Sequence, residues 1–407
     1  MGGEVKSMRN IVGFVGLALV IAACGANPGG PKAGSGVKLY EAVVSHNARQ
    51  IQVIDSKTHA IERRLPLGAP SSDWKHLYSI IGASLVDTDP QSGDTINTLL
   101  LPGSYQMPLA TNTGLPGGLS QDGHWLLVQA FDGTTTRMLI IDTTSFKIAD
   151  HIGLAGRFNF DAVSDDGQRL YLIQYLNGKE YYVRLYDIPG HSLDSNIVVD
   201  KSDGNQAMAG LRLSGISAPD GSMLFSMYVR ENDSPFIHAL NLTGPFAFCL
   251  DLPGGGYKQG DAAMHWSLAL RRDGSRLYAV NGATGTVAEL DTSSQFSPQV
   301  LRTATIGAAG SGAAGATATV LTTEGKTLVT AGSSGLVWID TSTLKPRMQA
   351  LTEWRISSLG LSPDGGTLFA VNDGGQVAEI SMSSGAVAGR FGPSAGTVIA
   401  LMRVASA

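Results

Sequence analysis

The 407-residue chain contains only two cysteines, Cys24 and Cys249. Their sequence settings share nothing, so they are not paired. Neither stands in a C-x-x-C or C-x-x-C-H pattern, which argues against zinc, dithiol redox and c-type haem roles. Charge is also scarce. Charged residues make up 15% of the chain, and the formal net charge is −5. A basic footprint is missing, which argues against nucleic acid as a partner. An anionic membrane surface would not attract the chain by charge either. No two of the eight histidines lie at i,i+2 or i,i+4 spacing, so no local metal motif appears. G-x-S-x-G elbows and phosphate-binding glycine loops are absent. Apolar residues show no helical period between the turns described below, which disfavours βαβ architecture. What the chain has is 51 glycines and 43% hydrophobic residues, the composition of a folded, turn-rich protein.

The N-terminus reads as an address. Arg9 precedes thirteen apolar or small residues, Ile11 to Ala23. A spanning helix needs about 20 residues, whereas a signal-peptide apolar region needs about 7–15. Met8 is a candidate for the true start. The run ends Ile21-Ala22-Ala23-Cys24, which resembles the lipobox of bacterial lipoproteins. The resemblance implies that residues 1–23 are a signal peptide. Cys24 would become the first mature residue, carrying a diacylglycerol and usually an N-acyl chain, and two or more chains give stable anchoring. Gly25 follows where the inner-membrane retention signal of some Gram-negative lipoproteins has aspartate. Residues 24–36, rich in Gly and Pro, then form the lipid anchor and a flexible tether.

Residues 37–407 repeat one pattern. An acid followed by glycine precedes a short β-prone run at Asp122, Asp166, Asp220, Asp273, Glu324 and Asp364, and Asp73 heads a worn copy with Trp74 in the glycine place. Glycine accepts φ > 0 and the acid caps the turn. A second turn recurs as "VIDSKT" at Val53, "IIDTTS" at Ile140, "ELDTSS" at Glu289 and "WIDTST" at Trp338. Successive turn acids are 40 to 54 residues apart, the period of β-propeller blades. The expected fold is all-β, a propeller of four-stranded blades. Eight hairpin units are counted, so seven or eight blades are expected. The lone strand Thr397 to Val404 would supply the inner strand of the first blade and close the ring. The unit between Leu67 and Lys75 is so short that its inner strand could be missing.

Two stretches, Ser275 to Ser294 and Thr367 to Ser384, resemble the YVTN-type β-propeller repeat family. That family contains binding proteins, surface-layer proteins and relatives of quinoprotein amine dehydrogenase and lactonase enzymes, so the resemblance implies fold more than activity.

Several features read as structure alone. "DTDPQSGD" (Asp87 to Asp94) departs from a calcium loop at Gln91 and Ser92 and is expected to be the second turn of its unit. "GAAGSGAAGATA" (Gly307 to Ala318) reads as an inter-blade connection. Cys249 is expected to be a buried strand residue. One constellation points to a ligand. Eight to ten places before the turn acids stand Arg157, Phe158, Arg212, His265, Trp354 and Arg355. If these ring the mouth of the central channel, they form a partly positive funnel for a carboxylate or phosphate. The sequence thus implies an extracytoplasmic, lipid-anchored propeller that binds a small anionic ligand or an envelope protein. No cofactor and no catalytic set is expected. The alternatives are a propeller enzyme or enzyme subunit of lactonase or quinoprotein dehydrogenase type, and a purely structural envelope protein.

Overall fold

The computed structural model describes residues 36–45, 48–200, 206–307, 318–332, 335–392 and 395–407. Cys24, the tether and most of the glycine-alanine connection lie outside the described residues.

Eight small antiparallel sheets form a ring of blades, a β-propeller. Blade 1 pairs the C-terminal strand Thr397–Ser406 with Val37–Ser45, Ala48–Asp55 and Ile61–Pro66, so the two ends of the chain close the ring within one sheet. Blade 2 runs Ala69–Pro70, Leu77–Ile81, Ser84–Thr88 and Thr95–Leu100. Its inner strand is therefore present, cut to two residues. Blade 3 has three full strands, Trp125–Phe131, Thr135–Asp142 and Lys147–Ala155, and its inner position is held by the isolated bridges Leu119↔Leu126 and Gln106↔Gln129. Blades 4 to 8 begin with the inner strands Arg157–Val163, Leu211–Ser217, Trp266–Leu270, Thr319–Leu321 and Ile356–Leu361. The blade count is eight.

The turns follow from their residues. In blades 2, 3, 4 and 8 a serine two places earlier donates to the turn acid at 2.5 to 2.7 Å: Ser71 to Asp73, Ser120 to Asp122, Ser164 to Asp166 and Ser362 to Asp364. The backbone N–H two places after the acid donates to the same carboxylate. Between them sits a residue in the left-handed region, Gly123, Gly167 or Gly365, and in blade 2 it is Trp74 with φ 58°. A bulky residue there costs roughly 1–2 kcal/mol. Trp74 is held by an edge contact with Tyr40 at 5.2 Å and by the Arg403 guanidinium over its ring.

Each blade buries its faces against its neighbours. The core is a circuit of inter-blade clusters, such as Tyr171, Tyr181 and Val183 of blade 4 against Leu224, Tyr228 and Phe236 of blade 5. The closing interface packs Phe369, Val371 and Val377 of blade 8 on Val37, Leu39 and Leu401 of blade 1. At that seam Gly360 leaves no room for a side chain, because a Cβ would stand 2.6 Å from Val404. Cys249 lies in the outermost strand of blade 5 and is only half-buried, at the edge of the blade 4–5 core. Outer strands meet solvent, which the apolar sequence around it does not reveal. Asp89 accepts from the N–H groups of Gln91 and Ser92, so that acidic stretch is a turn.

Candidate functional site

The central channel is not open at the rim where the inner strands begin. The connection from blade 2 to blade 3, residues 101–118, contains Pro102, Pro108 and Pro116, and proline cannot donate to a ladder. Instead of forming an inner strand it folds across the channel. Arg49 of blade 1 donates to the Gly114 carbonyl at 3.2 Å, and Leu115 packs on Ala42 and Ala400. On the far side the Asn112 N–H donates to the Leu213 carbonyl of blade 5 at 2.8 Å. That carbonyl is free because the inner strand of blade 5 bulges between Arg212 and Ser214. Blade 4 bulges at the equivalent place, between Phe160 and Ala162, and blade 8 between Ile356 and Ser358. Bulges re-aim side chains at such rims.

Two cavities meet beside this cap, and Arg212 lines both. The outer cleft, about 570 Å³, is walled by Asn112, Asn159, Tyr175, Tyr181, Tyr228 and Tyr257 among others. The inner one, about 360 Å³, lies under the cap and is walled by Ala110, Pro116, Asp161 and Gly215. Arg212 is 19% exposed at its side chain, while Asp161 is fully buried. Nε of Arg212 donates to Ser226 Oγ at 3.1 Å and stands 3.8 Å from Asp161 Oδ1. Its two terminal nitrogens donate to no described residue, which leaves four N–H groups for a ligand. Gly215 makes room for them, since a Cβ there would lie 2.6 Å from Nη2.

Behind the guanidinium the polar character continues into the blade 4–5 interface. His238 pairs in register with Ser226 and Cys249, and both of its ring nitrogens are buried without a hydrogen bond. Burial holds the His238 pKa below its ordinary value, with the field of Arg212 adding to the effect and that of Asp161 opposing it. Both carboxylate oxygens of Asp161 likewise lack a hydrogen bond. Unpartnered buried polar groups are rare and need a reason. Burial also raises the phenol pKa of Tyr228 far above its usual range, so its hydroxyl stays neutral as a donor. At the mouth, Lys179 and Lys258 both pair with Glu231, at 3.1 and 2.7 Å.

The residues expected to ring the mouth take separate positions. Arg212 lines the cavities. Arg157 is exposed one blade away, its guanidinium over the Tyr175 ring at 5.2 Å. Phe158 is buried in the core between blades 3 and 4, and its N–H donates to Thr136 Oγ1. Trp354 is buried between blades 7 and 8 beneath the Arg390 guanidinium. Burial lowers the His265 pKa; the charge of Asp261 opposes this and that of Arg355, across blade 7, adds to it. Arg355 itself pairs with Asp373 at 3.1 Å and is exposed. Asp161, His238 and the cap were not among the expected residues. The sequence signal of Asp161 and His238 is a titratable residue flanked by apolar neighbours within a strand, as in "FDAV" and "FIHAL". Among the described residues no group of three or more His, Cys, Asp or Glu could share a metal ion.

Fold and site together define an eight-bladed β-propeller with a capped channel and an arginine-centred cleft. No family model matches the chain, and no curated protein matches it. Among solved structures it is similar to the dihydro-heme d1 dehydrogenase NirN in complex with DHE, at 14% identity over 90% of this chain and 75% of that one, with a TM-score of 0.55. It also matches the hydrazine synthase of Kuenenia stuttgartiensis at 14% identity over 72% of this chain and 90% of that one, with a TM-score of 0.45. At 14% identity the likeness to NirN speaks for the propeller fold alone.

Proposed function

We propose that the chain is an extracytoplasmic, lipid-anchored binding propeller of the YVTN-repeat type that holds a small anionic ligand in the cleft beside Arg212. The observation that carries the ligand half is the Arg212 guanidinium, mostly buried, with both terminal nitrogens undonated and a cavity of about 570 Å³ in front of it. Pockets of roughly 300–1,000 Å³ with a few convergent polar groups are typical of small-molecule sites. The anchor half rests on the sequence Ile21-Ala22-Ala23-Cys24 after an apolar run, and places the ring outside the cytoplasm on a tether. A binding role is favoured because the cleft sets the Arg212 guanidinium, with both terminal nitrogens facing no described acceptor, among tyrosines and amides, while its second cation, Lys179, is already paired with Glu231.

Native mass spectrometry of the protein recovered from membranes tests both halves. The reading expects a diacyl mass on the peptide beginning at Cys24, lost in Cys24→Ser. It also expects a small-molecule adduct on the wild type that Arg212→Ala lacks. An unmodified, unprocessed N-terminus would overturn the anchor, and an adduct indifferent to Arg212 would overturn the site.

A further inference from the structure

Resting on that reading of the cleft, we infer that its ligand class is the amphipathic monocarboxylate, a single carboxylate on an apolar or aromatic body, and that Asp161 sets this selectivity by limiting the site to one effective positive charge. Three observations converge. First, the recognition group is a guanidinium whose two Nη atoms are unengaged, the planar fork that matches a carboxylate with two parallel hydrogen bonds.

Second, the charge balance disfavours a dianion. Asp161 is fully buried, 3.8 Å from Arg212, and neither of its oxygens accepts a hydrogen bond. Its charge therefore acts on the guanidinium without solvent or donors to screen it. Lys179 and Lys258 are well exposed and already share Glu231, and Arg157 over the Tyr175 ring is exposed as well, so all three add little in water. A monoanion balances what is left of Arg212, whereas a phosphate monoester would carry a second charge toward Asp161.

Third, the walls are apolar and aromatic. Leu109 of the cap, Leu211 at the start of blade 5 and Tyr175 stand at the mouth, 57%, 45% and 37% exposed. Large apolar side chains left exposed around one cleft mark a surface that is covered in use. Tyrosines offer an apolar face with a polar tip. Acetate would leave these walls wet, and a neutral alcohol would leave the guanidinium unanswered.

The test is calorimetric titration of the full chain in detergent with four probes: 3-phenylpropionate, acetate, 3-phenylpropanol, and phenyl phosphate at pH 8. The expected result is that 3-phenylpropionate binds and each of the other three is at least tenfold weaker. In Asp161→Asn, whose shape is kept and charge removed, phenyl phosphate gains at least tenfold relative to 3-phenylpropionate. A purely structural Asp161 would leave that ratio unmoved. The inference is overturned if phenyl phosphate or acetate matches 3-phenylpropionate, or if Asp161→Asn folds and leaves the ratio as it was. In those cases the anion site itself still stands. If no probe binds, the reading of the cleft as an anion site fails, and the inference with it. Should Asp161→Asn not fold, the four wild-type titrations alone decide the ligand class.

Discussion

Asp161 and Arg212 face each other at 3.8 Å across the interface of blades 4 and 5, close enough to pair but without a hydrogen bond. The carboxylate is buried and its counter-charge comes from one side chain. Removing one partner of a buried pair typically costs about 3–5 kcal/mol, because the other charge is left uncompensated. Arg212→Ala is therefore expected to lower the stability of the ring by about 3 kcal/mol as well as to abolish ligand binding. Asp161→Asn leaves a guanidinium that still reaches solvent, 19% exposed, rather than a fully buried carboxylate, and is expected to cost less. Chemical denaturation of the two variants side by side checks the order.

Gly215 provides a gentler test of the same geometry. Its missing Cβ would lie 2.6 Å from Arg212 Nη2 and 3.1 Å from Ser226 Oγ. Gly215→Ala should push the flexible end of Arg212 aside while the blade remains folded. The expected outcome is at least tenfold weaker anion binding with stability changed by no more than about 1 kcal/mol. Unchanged binding would mean that the guanidinium position is not the determinant.

Trp74 occupies the left-handed place that glycine takes in the other turns. Trp74→Gly loses the contacts with Tyr40 and Arg403 but relieves the backbone, whereas Trp74→Ala loses the same contacts and keeps the strain. The glycine variant should be the more stable of the two by about 1 kcal/mol. Equal midpoints would show that the turn relaxes around alanine.

The turn acids give the ring an acid limit. The Lys38 ammonium holds the Asp55 carboxyl well below the usual carboxylate range, and the Ser71 hydroxyl helps pull Asp73 down to about 2. Serine hydroxyls lower Asp273 and Asp364 in the same way. A carboxyl with a depressed folded-state pKa contributes stability that is present above its unfolded value, about 3.9, and lost as pH falls through the folded value. Asp87 and Asp165, pushed up by burial, act in the opposite sense, but fewer groups do so. Thermal midpoints should hold between pH 5 and 7 and fall between about pH 4 and 2. A midpoint that rises on acidification would contradict the capping role of these acids.

The ring was legible because its turn chemistry repeats. An acid and a β-prone run recur in blades 2 to 8, with glycine after the acid in all but blade 2, and the C-terminal strand had no other partner. The ambiguity between seven and eight blades came from the short unit between Leu67 and Lys75. Its inner strand survives as the pair Ala69–Pro70, and in blade 3 the inner position is reduced to two isolated bridges. The site was legible only at Arg212. Counting back from the turn acid assumes unbroken alternation, and the bulges at Asp161 and Ser357 break it. Phe158 and Trp354 accordingly lie in cores. Asp161, Ser226 and His238 come together from three strands of two blades, a convergence that no single sequence window contains.

The most direct measurement is the thermal midpoint of the full chain and of Arg212→Lys across a panel of organic anions at low and high salt. At about 100 times its dissociation constant a ligand adds about 2.7 kcal/mol, a clear rise. The prediction is that carboxylates with apolar bodies raise the wild-type midpoint, less so in high salt, and fail to do so in Arg212→Lys, whose single ammonium cannot reproduce the fork. A flat response across the panel, or an equal rise in both proteins, would contradict an arginine-centred anion site in the channel mouth.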